Sequence, residues 1–218
     1  NVQFAMLATR FRGNVDPFFA MNAANASQAG LRLGAYIYSY ATSVEMAQQE
    51  ADFVLNLIKD YPISFPVVFD AEDANTLGTL TQSQVSDVIN AFCKRIQDAG
   101  YYPMVYANEY WIANKIDMSK ISYDIWVAKY QQKYTYSKTS MWQASNTGSV
   151  KGVNGNVDID YLYKDYTQII PGNTWRTIAG NRYYYQNHVM QKAAWINDGQ
   201  NWYYMNAAGN PSTGWLEL

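Results

Sequence analysis

The chain of 218 residues is long enough for one large domain, or for one domain with a small appendage. Its net charge of −2 and scattered Lys and Arg give no nucleic-acid footprint, and no apolar run approaches the ~18 residues of a membrane span. One cysteine, Cys93, excludes an internal disulfide framework and a cysteine-based zinc site. One histidine, His188, leaves little for a Ser-His-Asp mechanism, so carboxylates are the expected chemistry.

Strand-like and helix-like segments alternate through the first half of the chain. Asp16-Pro17 predicts a helix with Asp16 as its N-cap, Thr42 or Ser43 predicts a second, and Thr81 predicts a third. The segments in chain order are a strand at 2–9, a helix ending at Gly30, a strand at 31–40, a helix to residue 59, a strand at 65–70, a helix at 82–99, a strand at 103–106, a short helix at 109–114, and strands at 124–130, 139–145 and 156–160. This alternation predicts a parallel β/α arrangement, most simply a barrel, with a second half that departs from the regular eightfold pattern.

Three acids end the apolar strand that follows Pro66. Because strand side chains alternate between faces, Asp70 and Glu72 share one face, about 7 Å apart along the backbone, and Asp73 does not. Two carboxyls at the end of a buried strand are unfavourable unless they are used or paired. A ligand site at this strand end is therefore one interpretation, and a solvated acidic turn is the alternative.

Seven motifs in register resemble the glycoside hydrolase family 25 lysozymes over about residues 1–165. They are Asp16-Pro17-Phe18-Phe19, the run from Ala29 to Ser39, the run from Phe65 to Asp73, Gly100-Tyr101-Tyr102-Pro103-Met104-Val105-Tyr106-Ala107-Asn108, Trp126-Val127-Ala128-Lys129-Tyr130, Trp142-Gln143, and Gly155-Asn156-Val157-Asp158-Ile159-Asp160. The resemblance implies an irregular α/β barrel of the TIM type, acting on bacterial peptidoglycan. It implies an N-acetylmuramidase that cleaves the β-1,4 bond between N-acetylmuramic acid and N-acetylglucosamine.

The resemblance also assigns residues to that reaction. Glu72 matches the general acid/base, Asp70 its neighbouring carboxylate, and Asp158 the family's late acid. An anionic Asp70 would hold the proton of Glu72 more tightly. The 2-acetamido group of the substrate could act as internal nucleophile, oriented by Asp158 or by Asp70. The expected substrate contacts are Tyr36, Tyr38, Tyr106, Trp142 and Gln143, and aromatic core packing is the alternative for Tyr36, Tyr106 and Trp142.

The family's first strand, with an aspartate that lines the site, has no counterpart from Asn1 onward. We expect a barrel that lacks its first strand in this sequence, and a sequence that begins inside a domain or follows a removed segment. Ile37 stands where many members carry His. These departures leave a second hypothesis open, namely a catalytically impaired or inactive glycan-binding protein. A chitinase-like barrel is a weaker third hypothesis, since the strand before Asp70 lacks the earlier aspartates of that family.

An aromatic tail follows Pro171-Gly172. Trp175, Trp195 and Trp215 are spaced by 20 residues, a period typical of stacked repeats. The tail resembles choline-binding-type cell-wall repeats, in which an aromatic cage holds a quaternary ammonium group through cation–π contacts. The expected contributors are Trp195, Trp202, Tyr203 and Trp215. Glucan binding is a second possibility, and a hairpin that merely packs on the barrel is the alternative.

The resulting expectations are a catalytic barrel over residues 1–168 and a small β-hairpin repeat tail over residues 173–218, cut short at its end because such repeats usually need three or more units. We expect no cofactor, no metal and no nucleic-acid partner. The tail is expected to bind choline or another wall polymer. We expect a monomer that is secreted, wall-associated, or released to the wall as a phage endolysin.

Overall fold

Strands and helices alternate along the first half of the chain, as the sequence predicts. The computed structural model describes residues 2–11, 13–130 and 134–215. Its helices are α1 (Phe19–Gln28), α2 (Val44–Ile58), α3 (Gln82–Asp98) and α4 (Glu109–Asn114). The strands up to residue 162 are β1 (Phe4–Ala8), β2 (Arg10–Phe11), β3 (Asn14–Val15), β4 (Arg32–Tyr38), β5 (Ile63–Asp70), β6 (Pro103–Asn108), β7 (Asp124–Ala128), β8 (Thr139–Gly148) and β9 (Val157–Leu162).

The helix starts show which predicted caps operate. The Ser43 hydroxyl accepts the Met46 N–H at the start of α2. Thr81 and Gln84 form a complete capping box at the start of α3, so both of these predictions are confirmed. The prediction that Asp16 is the N-cap of α1 is wrong. Its carboxylate accepts the N–H of Phe18, and α1 begins after Phe18 without a side-chain cap.

A seven-stranded sheet organises the molecule, in the order β1-β4-β5-β6-β7-β8-β9. All neighbours are parallel except β8 and β9, which are antiparallel. The sheet curls, since residues of both edge strands, β1 and β9, line the same cleft. Within the described ranges β1 and β9 do not pair with each other, so the sheet forms an open half-barrel.

Alternate residues of the strands pack on opposite sides of this sheet. Val67 and Phe69 of β5 face the helices and join the larger hydrophobic core there. Val68 faces the concave side and packs in a second core with Tyr106 and Trp126. Since Asp70 lies two residues beyond Val68, strand alternation turns its carboxyl toward the concave side as well.

Five short antiparallel strands form the tail, and its first part packs on the half-barrel. They are β10 (Thr174–Ile178), β11 (Asn181–Gln186), β12 (Val189–Met190), β13 (Ala194–Asn197) and β14 (Trp202–Met205). The buried Arg176 guanidinium lies between two rings, 3.9 Å from the Tyr101 centroid and 4.3 Å from the Tyr185 centroid. The Tyr185 hydroxyl donates to the Lys59 carbonyl at 2.8 Å. Tyr101 precedes β6 and Lys59 precedes β5, so the tail packs at the amino ends of the strands, opposite Asp70.

Candidate active site

A cleft of about 1480 Å³ opens on the concave side of the half-barrel. Parallel strands direct their carboxyl ends to one edge of a sheet, where side chains from several strands meet. The site residues that line this cleft are Tyr36, Asp70, Glu72, Tyr106, Trp126, Tyr130, Gln143, Asp158 and Asp160. The cleft thus brings together all three predicted catalytic acids, although Asp158 follows Asp70 by 88 residues in the sequence (158 − 70).

Asp70 and Glu72 are the acids that end β5. Asp70 is 6% exposed, and its Oδ1 has no hydrogen-bond partner. Burial, followed by the nearby charge of Glu72, raises the pKa of Asp70 well above its usual range. The sequence predicts that Asp70 is the charged neighbour of Glu72. The raised pKa of Asp70 points the other way, because burial makes its neutral form the more favourable one.

Asn108 orients Glu72 from the end of the neighbouring strand β6. Its Oδ1 accepts the Trp111 N–H as the N-cap of α4, which leaves Nδ2 to donate to Glu72 Oε1 at 3.2 Å. Burial raises the pKa of Glu72, and the hydrogen bond from Asn108 opposes that rise. A half-buried carboxyl with a raised pKa suits a group that must hold a proton and then release it. The residues alone gave no indication of this role for Asn108.

Asp158 is held from β8 by the side chain of Gln143. Gln143 Nε2 donates to Asp158 Oδ2 at 2.9 Å. The Gln143 Oε1 accepts two phenol hydroxyls, from Tyr106 at 2.7 Å and from Tyr130 at 2.9 Å. Burial raises the pKa of Asp158. Two of the predicted substrate contacts, Tyr106 and Gln143, therefore use hydrogen-bonding groups inside the protein.

Asp160 is a fourth carboxyl in the cleft, two residues beyond Asp158 on β9. Its Oδ1 accepts the indole N–H of Trp126 at 2.8 Å. Burial and the charge of Asp158 raise the pKa of Asp160 to about 7, against the effect of the Trp126 hydrogen bond. Neither Asp160 nor Trp126 was among the predicted site residues. The alternation of Asp158 and Asp160 on one strand face was the available sequence signal.

The structure does not bring two of the predicted sugar contacts into the cleft. Trp142 lies on the opposite face of β8 from Gln143, where its ring stacks on Tyr161 with centroids 5.5 Å apart. Tyr38 donates from its hydroxyl to Asp73 Oδ2 at 3.3 Å. Asp73 also accepts the N–H and hydroxyl of Thr76, and it lies outside the group of cleft-lining residues, as the face pattern predicts.

The tail presents a second aromatic surface on the hairpin of β13 and β14. Trp195 is 52% exposed and Trp202 is 66% exposed, and both lie on the outer face of the hairpin. Tyr204, paired with Trp195 across the strands, adds a ring at 5.5 Å. Tyr203 points to the inner face, where its ring packs on Trp175 with centroids 5.0 Å apart. It therefore lies on the opposite face of the hairpin from Trp195 and Trp202. Trp215 is fully exposed beyond β14.

The described residues include no group of three or more His, Cys, Asp or Glu side chains placed to hold a metal ion. In the same ranges no helix is long and apolar enough to cross a membrane. The side chains that line the cleft supply carboxyl groups, with amide and phenol groups beside them.

The fold and cleft define a β/α-barrel-type protein with a carboxylate-lined site at the carboxyl ends of its strands. Residues 2–153 match the family described as Glycosyl hydrolases family 25, and the chain belongs to that family. The match includes Asp70, Glu72 and Gln143 and ends before Asp158.

Several known proteins resemble this chain at low sequence identity. The chain is 29% identical over 164 residues to the uncharacterized protein YegX of Escherichia coli K12, covering 73% of this chain and 58% of YegX. The CTP1L endolysin superposes with a TM-score of 0.63 at 26% identity, covering 77% of this chain and 59% of that chain. The endolysin of phage Cp-1, solved in complex with choline, shares the fold over 98% of this chain and 69% of its own, with a TM-score of 0.52 and 20% identity. The chain spans less than two thirds of the length of YegX and of CTP1L.

Proposed function

We propose that the protein is a peptidoglycan hydrolase of the N-acetylmuramidase type, cleaving the β-1,4 bond between N-acetylmuramic acid and N-acetylglucosamine. Family membership and the likeness to an endolysin support this assignment. The observation that carries it is the half-buried Glu72 carboxyl, held by Asn108 in a cleft that also contains Asp70 and Asp158. Glycosidic cleavage uses one carboxyl that donates a proton and a second group that stabilises the positive charge at the sugar carbon.

Glu72 is proposed as the general acid and base. Its raised pKa favours the protonated form, which is the form that can donate to the leaving oxygen. Proton transfer by a positioned carboxyl is typically worth about 10²–10⁴-fold in rate. Asp70 supports it from the buried end of β5. Because burial and the Glu72 charge both disfavour the Asp70 anion, ionisation of both carboxyls at once is unfavourable.

Asp158 or Asp70 would orient the 2-acetamido group of the substrate as an internal nucleophile. The structure offers a reason to favour Asp158, since Gln143 donates a hydrogen bond to it and such a bond stabilises the anion. Asp70 has an unpartnered Oδ1 and a stronger preference for the neutral form. Retention of anomeric configuration is the outcome expected of this mechanism.

The aromatic tail is proposed to bind a cell-wall polymer through the outer face of the β13–β14 hairpin. Exposed indole rings of Trp195 and Trp202 can stack on sugars or accept a quaternary ammonium group such as choline. Because the tail packs at the opposite end of the strands from Asp70, it can attach to the wall without covering the cleft. Such a protein would act at the cell wall, as a secreted enzyme or as a phage endolysin.

A glycan-binding protein without turnover is the second candidate. The observation that favours it is the open sheet, in which β1 and β9 are both edge strands within the described ranges. An open cleft can hold a sugar chain while positioning the acids too loosely for catalysis, since small displacements of catalytic groups reduce rates strongly.

Zymography on peptidoglycan, followed by mass spectrometry of the released reducing ends, separates the two candidates. Muramic-acid reducing ends support the muramidase, and glycan binding without release supports the second candidate. The Glu72→Gln variant should lose activity while keeping its thermal midpoint. Glu45→Gln, on the exposed first turn of α2, is the matched control and should lyse walls like the wild type. Wild-type lysis by Glu72→Gln would rule out the assigned acid.

A further inference from the structure

Gln143 occupies the centre of a hydrogen-bond network on the concave side of β8. Its side chain is 3% exposed, and both ends of its amide are engaged. Tyr106 and Tyr130 donate to Oε1, while Nε2 donates to Asp158. A buried amide with this many polar partners is better suited to fixing a neighbour than to contacting a substrate.

The two phenols and Asp158 together determine how the amide is held. A phenol hydroxyl donates one hydrogen bond, and the Gln143 carbonyl oxygen has two lone pairs to accept them. Tyr106 lies on β6 and Tyr130 follows β7, so two separate parts of the sheet hold the oxygen. Rotating the amide by a half turn would point Nε2 at the two phenols and would turn the oxygen toward the Asp158 carboxylate, so that two acceptors would face each other. A phenol hydroxyl could also accept from Nε2, whereas a carboxylate cannot donate, so Asp158 selects the observed orientation and the two phenols hold the oxygen in place.

Asp158 experiences opposing influences in this cleft. Asp160 lies two residues away on β9, and the phenols of Tyr36 on β4 and of Tyr130 also interact with its charge. Burial and the repulsion between like charges disfavour the state in which Asp158 and Asp160 are both ionised. The N–H of Gln143 favours the anion and fixes Oδ2 in place.

We propose that Gln143 is a positioning residue that holds Asp158 as an oriented carboxylate, with Tyr106 and Tyr130 fixing the amide that does so. With Oδ2 engaged by Gln143, Oδ1 is the oxygen that can accept the N–H of a 2-acetamido sugar. The link to turnover rests on the proposed function. The effect on Asp158 itself can be measured independently of it.

The test is the ionisation of Asp158, followed by carbon-13 NMR of labelled aspartate carboxyls and assigned by the signal lost in Asp158→Asn. Gln143→Met removes the N–H and keeps the shape of the side chain. It should raise the pKa of Asp158 by about one unit, as expected for the loss of a hydrogen bond to a carboxylate. Tyr106→Phe and Tyr130→Phe should each raise it by less, because the amide is freed and still able to donate. Gln168→Met, at an exposed glutamine, is the matched control.

Kinetics on peptidoglycan supply the second readout. Gln143→Met should lower kcat about ten-fold or more with little change in KM, since the hydrogen bond acts through Asp158. An Asp158 pKa that is the same in Gln143→Met and in the wild type would overturn the positioning role, whatever the rate. A shifted pKa with wild-type kcat would overturn the link to turnover. If the wild type releases no sugar, the proposed function fails, and the titration still decides the role of Gln143.

Discussion

Asp70 is a carboxyl whose charge the folded protein disfavours, and this has a measurable effect on stability. Its side chain is 6% exposed, its Oδ1 has no partner, and burial together with Glu72 raises its pKa. A surface aspartate ionises near pH 3.9. Between that pH and the raised native pKa, the unfolded chain releases the Asp70 proton while the native state keeps it. The native state therefore becomes less stable as the pH rises through this interval.

The size of the effect follows from proton linkage. Where the unfolded state has lost one proton that the native state retains, the free energy of unfolding falls by about 1.4 kcal/mol per pH unit. Asp70→Asn removes this ionisation. The stability of Asp70→Asn relative to the wild type should therefore increase by about that amount per pH unit above roughly pH 4, and then level off at the native pKa of Asp70. Any constant effect of the new amide on packing cancels in the comparison.

Urea unfolding at half-unit steps from pH 4 to pH 8 measures this difference. Asp87→Asn, an exposed carboxyl on α3, provides the control for exchanging a carboxyl with an amide at the surface. We expect the difference between Asp70→Asn and the wild type to grow with pH and then to plateau. A difference that stays constant or shrinks over this range would show that Asp70 is charged in the native state and would refute the reasoning.

Three further predictions concern the sheet, the tail and the cleft. Gly34→Ala should destabilise the protein by about 1–3 kcal/mol in urea unfolding, because the added Cβ would lie 2.9 Å from the Pro66 carbonyl oxygen; an unchanged midpoint would argue against this close approach. Tyr185→Phe should lose about 1 kcal/mol in the same assay by removing the hydrogen bond to the Lys59 carbonyl, and equal stability would argue against the docking of the tail. Carbon-13 NMR should show one aspartate carboxyl with a pKa of about 7 that disappears in Asp160→Asn, and its survival in the variant would contradict the assignment to Asp160.

The alternation of strands and helices could be predicted because it depends on local features. Ser43 and Thr81 cap helices through their own neighbours, and the strand before Asp70 is apolar on both faces. The face shared by Asp70 and Glu72 follows from the two-residue period of a strand. The prediction that Asp16 caps α1 failed because it also depended on local sequence alone. An aspartate before a proline can accept a nearby N–H in a turn as readily as it caps a helix.

The partners of the acids depended on strands that are distant along the chain. Asn108 binds Glu72 only because β6 lies beside β5, and Gln143 binds Asp158 only because β8 pairs with β9 in one register. The sequence placed Trp142 and Gln143 together as substrate contacts, yet adjacent residues of a strand face opposite ways, and only the curl of the sheet decides which face is the cleft.

The sequence by itself determined the order of the elements, the position of the acids at the end of β5 and the membership in a glycosidase family. These features depend on local periodicity and on short motifs, which do not require the tertiary structure. The tertiary structure alone decided the charge preference of Asp70 and the network around Gln143. Burial and hydrogen bonding across strands set both, and neither exists until the sheet has curled around the cleft.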